Sequence, residues 1–294
     1  MNLIERLHSK GLIKPPGFVV GGTQYLTIMG SVAYAVSSDT SDMDLYGFCI
    51  PPKDIVFPHL NGNIQGFGKQ PDRFDQWQQH HIVEKDHGKE YDFNVYNIVK
   101  FFQLVMDNNP NMIDSIFTSH ECVLTSTKIS DHVRDNRKLF LHKGSWHRFK
   151  GYAYEQLKHL KNKKPDIGSK RYDMVQKYGF DVKFAYHVVR LLNEVEQILI
   201  EGDLDLKRNN DQLKSIRNGE WTLQQIEDYF TSKEKGLEQT YIDSTLRKFP
   251  DEESIKKILI ECLEEHYGTL DGVIETKDHY KGILRQIQKL VEKV

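Results

Sequence analysis

Cysteine is scarce in this chain of 294 residues. The three that occur, Cys49, Cys122 and Cys262, lie far apart. An odd number excludes a complete disulfide framework, and no two of them have the close spacing of a zinc site. We therefore expect a reducing interior and predict a cytoplasmic protein. The first ten residues also lack the apolar core of a signal peptide, so secretion is not expected.

A convincing membrane span is missing as well. The one long stretch without charge, residues 15–38, holds two prolines and four glycines. That composition makes a poor membrane helix and favours a buried strand with a glycine-rich exit. We therefore expect no membrane partner. No repeat at a solenoid period is visible either.

Charge is nearly balanced in total, with 40 Lys and Arg against 42 Asp and Glu, but it is unevenly distributed. The net charge is −3 over residues 1–96, +6 over residues 97–200 and −5 over residues 201–294. Within the middle part, residues 143–183 carry 11 basic against 4 acidic side chains. Such a field favours polyanions, for example nucleotide phosphates or a nucleic-acid backbone. A solvated helix face is the alternative interpretation.

The hydrophobic pattern predicts an α+β fold. Short β-rich runs occur at residues 25–29 and 43–50, a hairpin is indicated over residues 81–96, and residues 57–79 are predicted to form a long surface loop. From Asn97 onward the pattern is helical, with the longer helices predicted at 146–161, 173–200, 222–232, 252–265 and 277–293. We therefore predict a small mixed β-sheet domain, residues 1–120, and an all-helical domain, residues 121–294, that forms the other wall of a cleft. The acidic helices after about residue 225 have no role that the sequence identifies.

The sharpest local pattern is a Gly-Ser pair followed by two aspartates. Gly30 and Ser31 come after a β run, where a small residue lets phosphate approach backbone N–H groups and the Ser hydroxyl can donate to it. Asp42 and Asp44 are two apart, so on a strand their side chains share one face. Two carboxylates this close repel each other unless a cation lies between them, which indicates a Mg²⁺ site, with Mn²⁺ as the other candidate. A turn or a cap is the plainer interpretation of Asp-x-Asp.

A third carboxylate is expected if the site holds two metal ions. Asp92 is the candidate, because it lies in an alternating strand whose other side chains, Tyr91 and Phe93, belong to the opposite face. Glu90, on the same face as Asp92, is the alternative. The neighbouring pair of histidines at residues 80–81 lacks a second ligand pair and is interpreted as surface beside the hairpin.

One helical segment combines a cationic face with an apolar face. Lys183, His187, Arg190 and Glu194 recur at helical spacing, next to a face of apolar residues. We predict that the first three bind the phosphates of a substrate across the cleft. The alternative is an ordinary polar helix face with an i,i+4 charge pair.

Two further groups have weaker signals. Trp146, Tyr152 and Tyr154 lie near basic residues and could stack on bases, but their helical spacing favours a place in the core. The segment Arg217-Asn218-Gly219-Glu220-Trp221 is interpreted as a helix end, with Gly219 as the left-handed cap.

The chain also resembles a known family. The residues MGSVAYAVSSDTSDMDLYGFCIPP are similar to the Gly-Ser and Asp-x-Asp signature of nucleotidyltransferases of the DNA polymerase β superfamily, and most similar to its YcgL-like branch, the RNA-ligase-associated polymerase β-type (RlaP) group. Further segments follow in family order between about residues 25 and 221: EYDFNVYNIVKFFQLVMDNNPNMIDSIF, FKGYAYEQL, KYGFDVKFAYHVVRLL and IRNGEW.

This resemblance implies a nucleotidyltransferase fold, a divalent metal, and transfer of a nucleoside monophosphate from an NTP with release of pyrophosphate. By position, Gly30 and Ser31 would hold the triphosphate, Asp42 and Asp44 would bind metal, and Asp92 would complete the triad. The association of the family with RNA repair makes an RNA or other nucleic-acid end the expected acceptor. Two alternatives remain open, a non-catalytic nucleotide-binding or nucleic-acid-binding module on the same fold, and a transferase that modifies a protein or a small molecule. Oligomeric state and preferred NTP are not indicated.

Overall fold

The first half of the chain builds a five-stranded mixed sheet. The computed structural model describes residues 1–37, 42–64, 66–69, 72–270, 287–288 and 290–291. The strands are β1 (Thr23–Ile28), β2 (Met43–Cys49), β3 (Gln76–Glu84), β4 (Lys89–Asn97) and β5 (Val123–Ser126). Their order across the sheet is β3-β4-β2-β1-β5, with β2 and β4 parallel and the other neighbours antiparallel.

This topology brings the ends of four strands together at one end of the sheet, which we call the site edge. Ile28 at the end of β1 pairs with Leu45 near the start of β2, and Asp44 pairs with Asp92 near the start of β4. Thr27 pairs with Val123, the first residue of β5. The segment that follows β1 and the segments that precede β2, β4 and β5 therefore meet at the site edge. The candidate residues lie there.

Helices surround the sheet and make up most of the second half. The helices that precede, separate or directly follow the strands in the chain are α1 (Leu3–Ser9), α2 (Gly17–Gly22), α3 (Gly30–Ala33), α4 (Lys53–Val56), α5 (Ile98–Met106), α6 (Pro110–Phe117) and α7 (Lys128–Asp135). The remaining ones are α8 (Ser145–Asn162), α9 (Lys170–Tyr178), α10 (Val182–Glu201), α11 (Asn210–Arg217), α12 (Leu223–Asp243) and α13 (Glu252–Tyr267). Short 3₁₀ turns occupy Pro58–Asn61, Lys85–His87, His120–Cys122 and Arg137–Phe140.

One hydrophobic core runs through both halves. Its fully buried side chains include Phe48 and Phe93 from the sheet and Trp146 and Phe149 from α8. Helix α10 is buried along most of its length, since it packs against α8 on one side and α12 on another. Burial of such large apolar side chains is worth about 1.5–3 kcal/mol each. None of the helices in the described ranges is both long and apolar enough to cross a membrane.

The α+β prediction is confirmed, and the predicted hairpin is present as β3 and β4. One helix prediction was wrong, because residues 173–200 form two helices rather than one. Helix α9 ends at Gly179, which adopts a left-handed φ of 83°, and Asp181 then caps α10 by accepting hydrogen bonds from the N–H groups of Lys183 and Phe184. The hydrophobic pattern continued across this break, but Gly179 and Asp181 carry the stop and start signals.

Other boundaries also differ from those predicted. Residues 76–79, assigned to the long loop, belong to β3, and β5 extends the sheet beyond the predicted boundary at residue 120. The division into two domains stays a prediction. The predicted helix over 277–293 lies mostly outside the described residues.

Candidate active site

The Gly-Ser pair lies in a tight turn that directly contacts Asp44. Strand β1 ends just before it, and the N–H of Met29 donates to the carbonyl oxygen of Asp44 over 2.7 Å. Gly30 adopts a left-handed φ of 64°, and a Cβ placed on it would lie 2.2 Å from Oδ2 of Asp44. Only glycine satisfies both conditions without strain. The turn and the carboxylate are therefore fitted to each other, with Ser31 next in the chain at the start of α3.

Asp44 and Asp92 are direct neighbours on parallel strands. They are paired in register across β2 and β4, so their side chains leave the same face of the sheet about 4.8 Å apart at the backbone. Both residues are partly buried, whereas Asp42 precedes β2 and is exposed. The structure thus brings Asp44 and Asp92 together and leaves Asp42 at the outer rim.

The electrostatics of Asp44 reflect this crowding. Burial is the main cause that raises its pKa, and the negative charges of Asp92 and Asp42 raise it further. Lys183 and His80 act in the opposite direction but do not cancel the increase. Lys183 and His80 therefore balance only part of the negative charge of the aspartates, and this favours binding of a cation.

The donor set fits Mg²⁺ in its chemistry. Within the described ranges, no three His, Cys, Asp or Glu side chains converge into a complete metal cage. Mg²⁺ does not require one, because it retains several waters and is commonly held by one or two carboxylates together with substrate phosphates. Asp44 and Asp92, with Asp42 at the rim, are the residues that would hold such an ion.

A bulge in β3 places two histidines beside these carboxylates. Gln79 pairs with Phe93 and Ile82 with Tyr91, so residues 80 and 81 together oppose Asp92. The backbone N–H of His81 donates to Oδ1 of Asp92 over 2.7 Å, and His80 Nδ1 lies 3.7 Å from the same oxygen.

The second histidine of the bulge also contacts Glu90. His81 Nδ1 lies 3.0 Å from Glu90 Oε1, and this hydrogen bond, followed by the charge of Asp92, raises the pKa of His81. The interpretation of the pair as plain surface therefore missed its contact with the site. The signal available in the sequence was the interruption of the alternating pattern of β3.

Polar and aromatic side chains continue this face of the sheet away from the aspartates. Gln78 donates to Asn94 over 2.7 Å, and the rings of Tyr46 and Tyr96 are 6.5 Å apart. Burial raises the pKa of Tyr96, and Tyr152 of α8 contributes to the shift. Tyr152 is 38% exposed and accepts a hydrogen bond from Asn109, so it does not lie in the core that its helical spacing favoured.

Helix α10 presents Lys183 and His187 at different depths. Lys183 is exposed, and its charge lowers the pKa of Asp44. His187 is partly buried, and burial lowers its pKa far below the usual range. The charges of Arg190, Lys183 and Arg171 lower that pKa further. His187 is therefore a neutral imidazole in positive surroundings, an arrangement that suits an anionic ligand.

Arg190 lies deeper than the other two. It is 5% exposed, and its guanidinium donates to Tyr34 Oη and to the carboxylate of Asp114, with Glu194 at 3.4 Å. Tyr34 also donates to Asp114. Arg190 thus shares the predicted helix face but connects α10 to the segment just after the Gly-Ser turn. Its direct contact with substrate stays a prediction.

Replacing Gly30 by Ala is expected to reduce kcat/KM at least tenfold for the nucleotide transfer that the family resemblance implies. The new Cβ would overlap the Asp44 carboxylate, and a left-handed alanine costs about 1–2 kcal/mol. Steady-state kinetics and thermal unfolding would measure the two effects. Gly21→Ala is the matched control, because a Cβ on Gly21 meets nothing within 4 Å and its φ is not positive. Equal activity of the two variants would contradict a role for the contact between Gly30 and Asp44.

Comparison with known proteins identifies the family of the chain. No curated protein matches the chain. A solved structure described as a nucleotidyltransferase-like protein from Exiguobacterium sibiricum 255-15 is similar at 10% sequence identity, covering 88% of this chain and 78% of that one, with a TM-score of 0.29. The family model for the RNA repair pathway DNA polymerase beta family (RlaP) matches residues 19–273. The chain therefore belongs to this family and is a nucleotidyltransferase of the polymerase β type.

Proposed function

We propose that the protein transfers a nucleoside monophosphate from an NTP to an acceptor in a reaction that depends on Mg²⁺. The observation that carries this proposal is the pairing of Asp44 with Asp92 directly beside the Gly30 turn, with the charge of Lys183 acting on Asp44. Carboxylates on one side and cations on the other match the needs of a metal-bound triphosphate.

The chemistry of each candidate side chain suits it to a different role in binding the NTP or the metal. Gly30 and Ser31 would receive the triphosphate, since the turn has no Cβ to obstruct it and the Ser31 hydroxyl can donate. Lys183 and neutral His187 would face the phosphates from α10. Asp42, Asp44 and Asp92 would hold Mg²⁺ or Mn²⁺, which when bound supplies positive charge to the phosphoryl oxygens and lowers the pKa of the attacking group.

The reaction is an in-line displacement at the α-phosphorus. An acceptor oxygen forms a bond to that phosphorus, the bond to the bridging oxygen breaks, and pyrophosphate leaves with the electron pair. The proton of the acceptor hydroxyl passes to the carboxylate of Asp92. Positioning and charge stabilisation provide most of the rate enhancement in such transfers.

The acceptor that we propose is the end of an RNA. Three observations support it. The family is described as part of an RNA repair pathway, and residues 143–183 carry an excess of basic side chains. The exposed ring of Tyr152, beside Tyr46 and Tyr96, offers a surface on which an unpaired base can stack. Transfer to a protein or to a small molecule is the competing possibility, in which these features would serve the NTP alone.

Pyrophosphate release tests the proposal. The protein is incubated with each of the four NTPs, with and without RNA oligonucleotides, in Mg²⁺, in Mn²⁺ and in EDTA. We expect release that needs both the metal and an acceptor, and an acceptor that gains one nucleotide by mass. Absence of release with every NTP, metal and acceptor would refute the enzyme assignment at this site. Release that occurs equally without RNA, and RNA binding that does not weaken as salt rises, would refute the RNA acceptor.

A further inference from the structure

A cavity of about 300 Å³ opens next to Lys183, between helices α9, α10 and α11. Three of its lining side chains are basic, namely Lys177, Lys183 and Arg217, and one is acidic, Asp173. Tyr178 supplies an aromatic wall. The volume lies at the lower end of those found for small-molecule sites, so it can accept a group of the size of one or two phosphates.

Ion pairs among the described residues do not balance the positive charge in this cavity. Across the described stretches of chain, neither Lys183 nor Arg217 forms an ion pair with a carboxylate. Lys177 is exposed and lies 4.8 Å from the centre of the Tyr178 ring. Cations held near each other repel, which favours a ligand that brings negative charge.

A larger cavity of about 710 Å³, beside α7 and the end of α10, differs in this respect. Its lining holds five carboxylates against four Lys and Arg side chains. Two of those cations are already paired, Lys207 with Glu121 and Arg208 with Glu201. The larger cavity therefore offers no excess of positive charge, and the smaller one does.

The smaller cavity is linked electrostatically to the proposed active site through Lys183 and Arg217. Lys183 lines it and also acts on Asp44. Arg217 lines it and acts on His187, whose pKa it helps to lower. A positive region thus extends from the aspartates along the start of α10 to the end of α11.

We propose that this cavity, which we call the phosphate cavity, binds a phosphate group of the molecules that react at Asp44, with Arg217 and Lys177 as binding residues alongside Lys183. The inference rests on the proposed function for the location of the reaction but not for the binding itself. Two sources share the chemistry, the β- and γ-phosphates of the NTP and a terminal phosphate on the acceptor RNA. Arg217 suits either one because its guanidinium can form two parallel hydrogen bonds to phosphate oxygens.

Binding measurements without turnover test the phosphate cavity directly. Titration calorimetry would compare inorganic tripolyphosphate, an NTP, and RNA oligonucleotides with and without a terminal phosphate. The variants are Arg217→Ala and Lys177→Ala, and Lys214→Ala on the same helix as Arg217 is the control, since Lys214 is exposed and does not line the cavity. We expect about tenfold weaker phosphate binding for each cavity variant and no change for the control.

The pattern of losses identifies the source of the phosphate. Weaker binding of tripolyphosphate and NTP, with unchanged RNA binding, assigns the cavity to the NTP. Weaker binding of the phosphorylated RNA alone assigns it to the acceptor. Equal affinity of wild type and both cavity variants for every probe would overturn the proposal.

Two further measurements distinguish a loss of phosphate binding from a loss of folding and from a loss of catalysis. Arg217 lies over the ring of buried Tyr186 at 5.7 Å, so Arg217→Lys, which keeps the charge, is included together with a thermal unfolding curve for each variant. Weaker binding with unchanged unfolding temperature supports the proposal, whereas loss that follows unfolding temperature, with Lys177→Ala unaffected, would overturn it. Wild type that binds tripolyphosphate but releases no pyrophosphate would refute the proposed function and leave the phosphate cavity standing.

Discussion

Replacing Asp44 by Asn is expected to abolish nucleotide transfer and, at the same time, to make the metal-free protein more stable at neutral pH. The loss of activity should be at least about a thousandfold, since the variant removes charge that the proposed metal and the transition state both need. The gain in stability follows from the environment of Asp44. Burial and the neighbouring Asp92 and Asp42 disfavour its ionised form, and an amide of the same shape carries no charge.

The sign of the pH dependence follows from the same shift. Because the pKa of Asp44 is raised in the folded protein, the folded state binds a proton more tightly than the unfolded state between the ordinary Asp pKa of about 3.9 and the raised value. The metal-free wild type therefore loses stability as pH rises through this window, and the whole penalty is present at pH 7. The stability advantage of Asp44→Asn should be present at pH 7 and shrink as pH falls towards 4.

Thermal unfolding with and without Mg²⁺ measures both halves of this expectation. Mg²⁺ should raise the unfolding temperature of wild type and leave Asp44→Asn unchanged, because a ligand stabilises only the state that binds it. Asp72→Asn is the control, since Asp72 is an exposed carboxylate outside the site. A variant that is less stable than wild type at pH 7 without metal, or one that still transfers nucleotides, would contradict the account of Asp44.

The part of this site that could be predicted from sequence depends on local spacing. Gly30 and Ser31 after a β run, and Asp44 in a strand, require only the period of two and the need of a tight turn for glycine. Asp92 could be placed on the correct face because Tyr91 and Phe93 define the opposite one. The register that pairs Asp44 with Asp92 is a property of the assembled sheet, and neither strand specifies it alone.

The rest of the site depends on contacts that local spacing does not encode. The interrupted alternation of β3 indicates a bulge at residues 80–81, but it does not specify the left-handed His81, with a φ of 56°, or the hydrogen bond from His81 to Asp92. A helical wheel places Arg190 on the same face as Lys183, but the depth of each side chain depends on what packs against it. The sequence did not indicate Arg217 as a binding residue for a different reason. Its segment forms the end of α11, and a helix end is a sufficient explanation of that sequence pattern.

Asp114→Asn is expected to destabilise the protein by about 3 kcal/mol or more, whereas Glu194→Gln should cost less than about 1 kcal/mol. Both variants change a buried carboxylate to an amide beside Arg190. The difference arises because two carboxylates compete for one cation. Burial raises the pKa of both carboxylates, that of Glu194 far above its usual range and that of Asp114 less. Asp114 accepts hydrogen bonds from both Arg190 and Tyr34, so Asp114 is the carboxylate that balances Arg190 and Glu194 is the neutral one.

The same cluster connects stability to the active site through Tyr34, which follows the Gly30 turn by four residues and donates to Asp114. Tyr34→Phe should therefore raise KM for the NTP by several-fold while costing about 1–3 kcal/mol of stability, since two buried hydrogen bonds, one to Asp114 and one from Arg190, are lost and the ring remains. Urea unfolding curves and steady-state kinetics measure the two quantities separately.

If Glu194→Gln proved as costly as Asp114→Asn, Glu194 would have to be ionised, and the buried cluster would carry a net negative charge that its surroundings do not balance. If Tyr34→Phe left KM unchanged, the cluster would support the fold without positioning the turn.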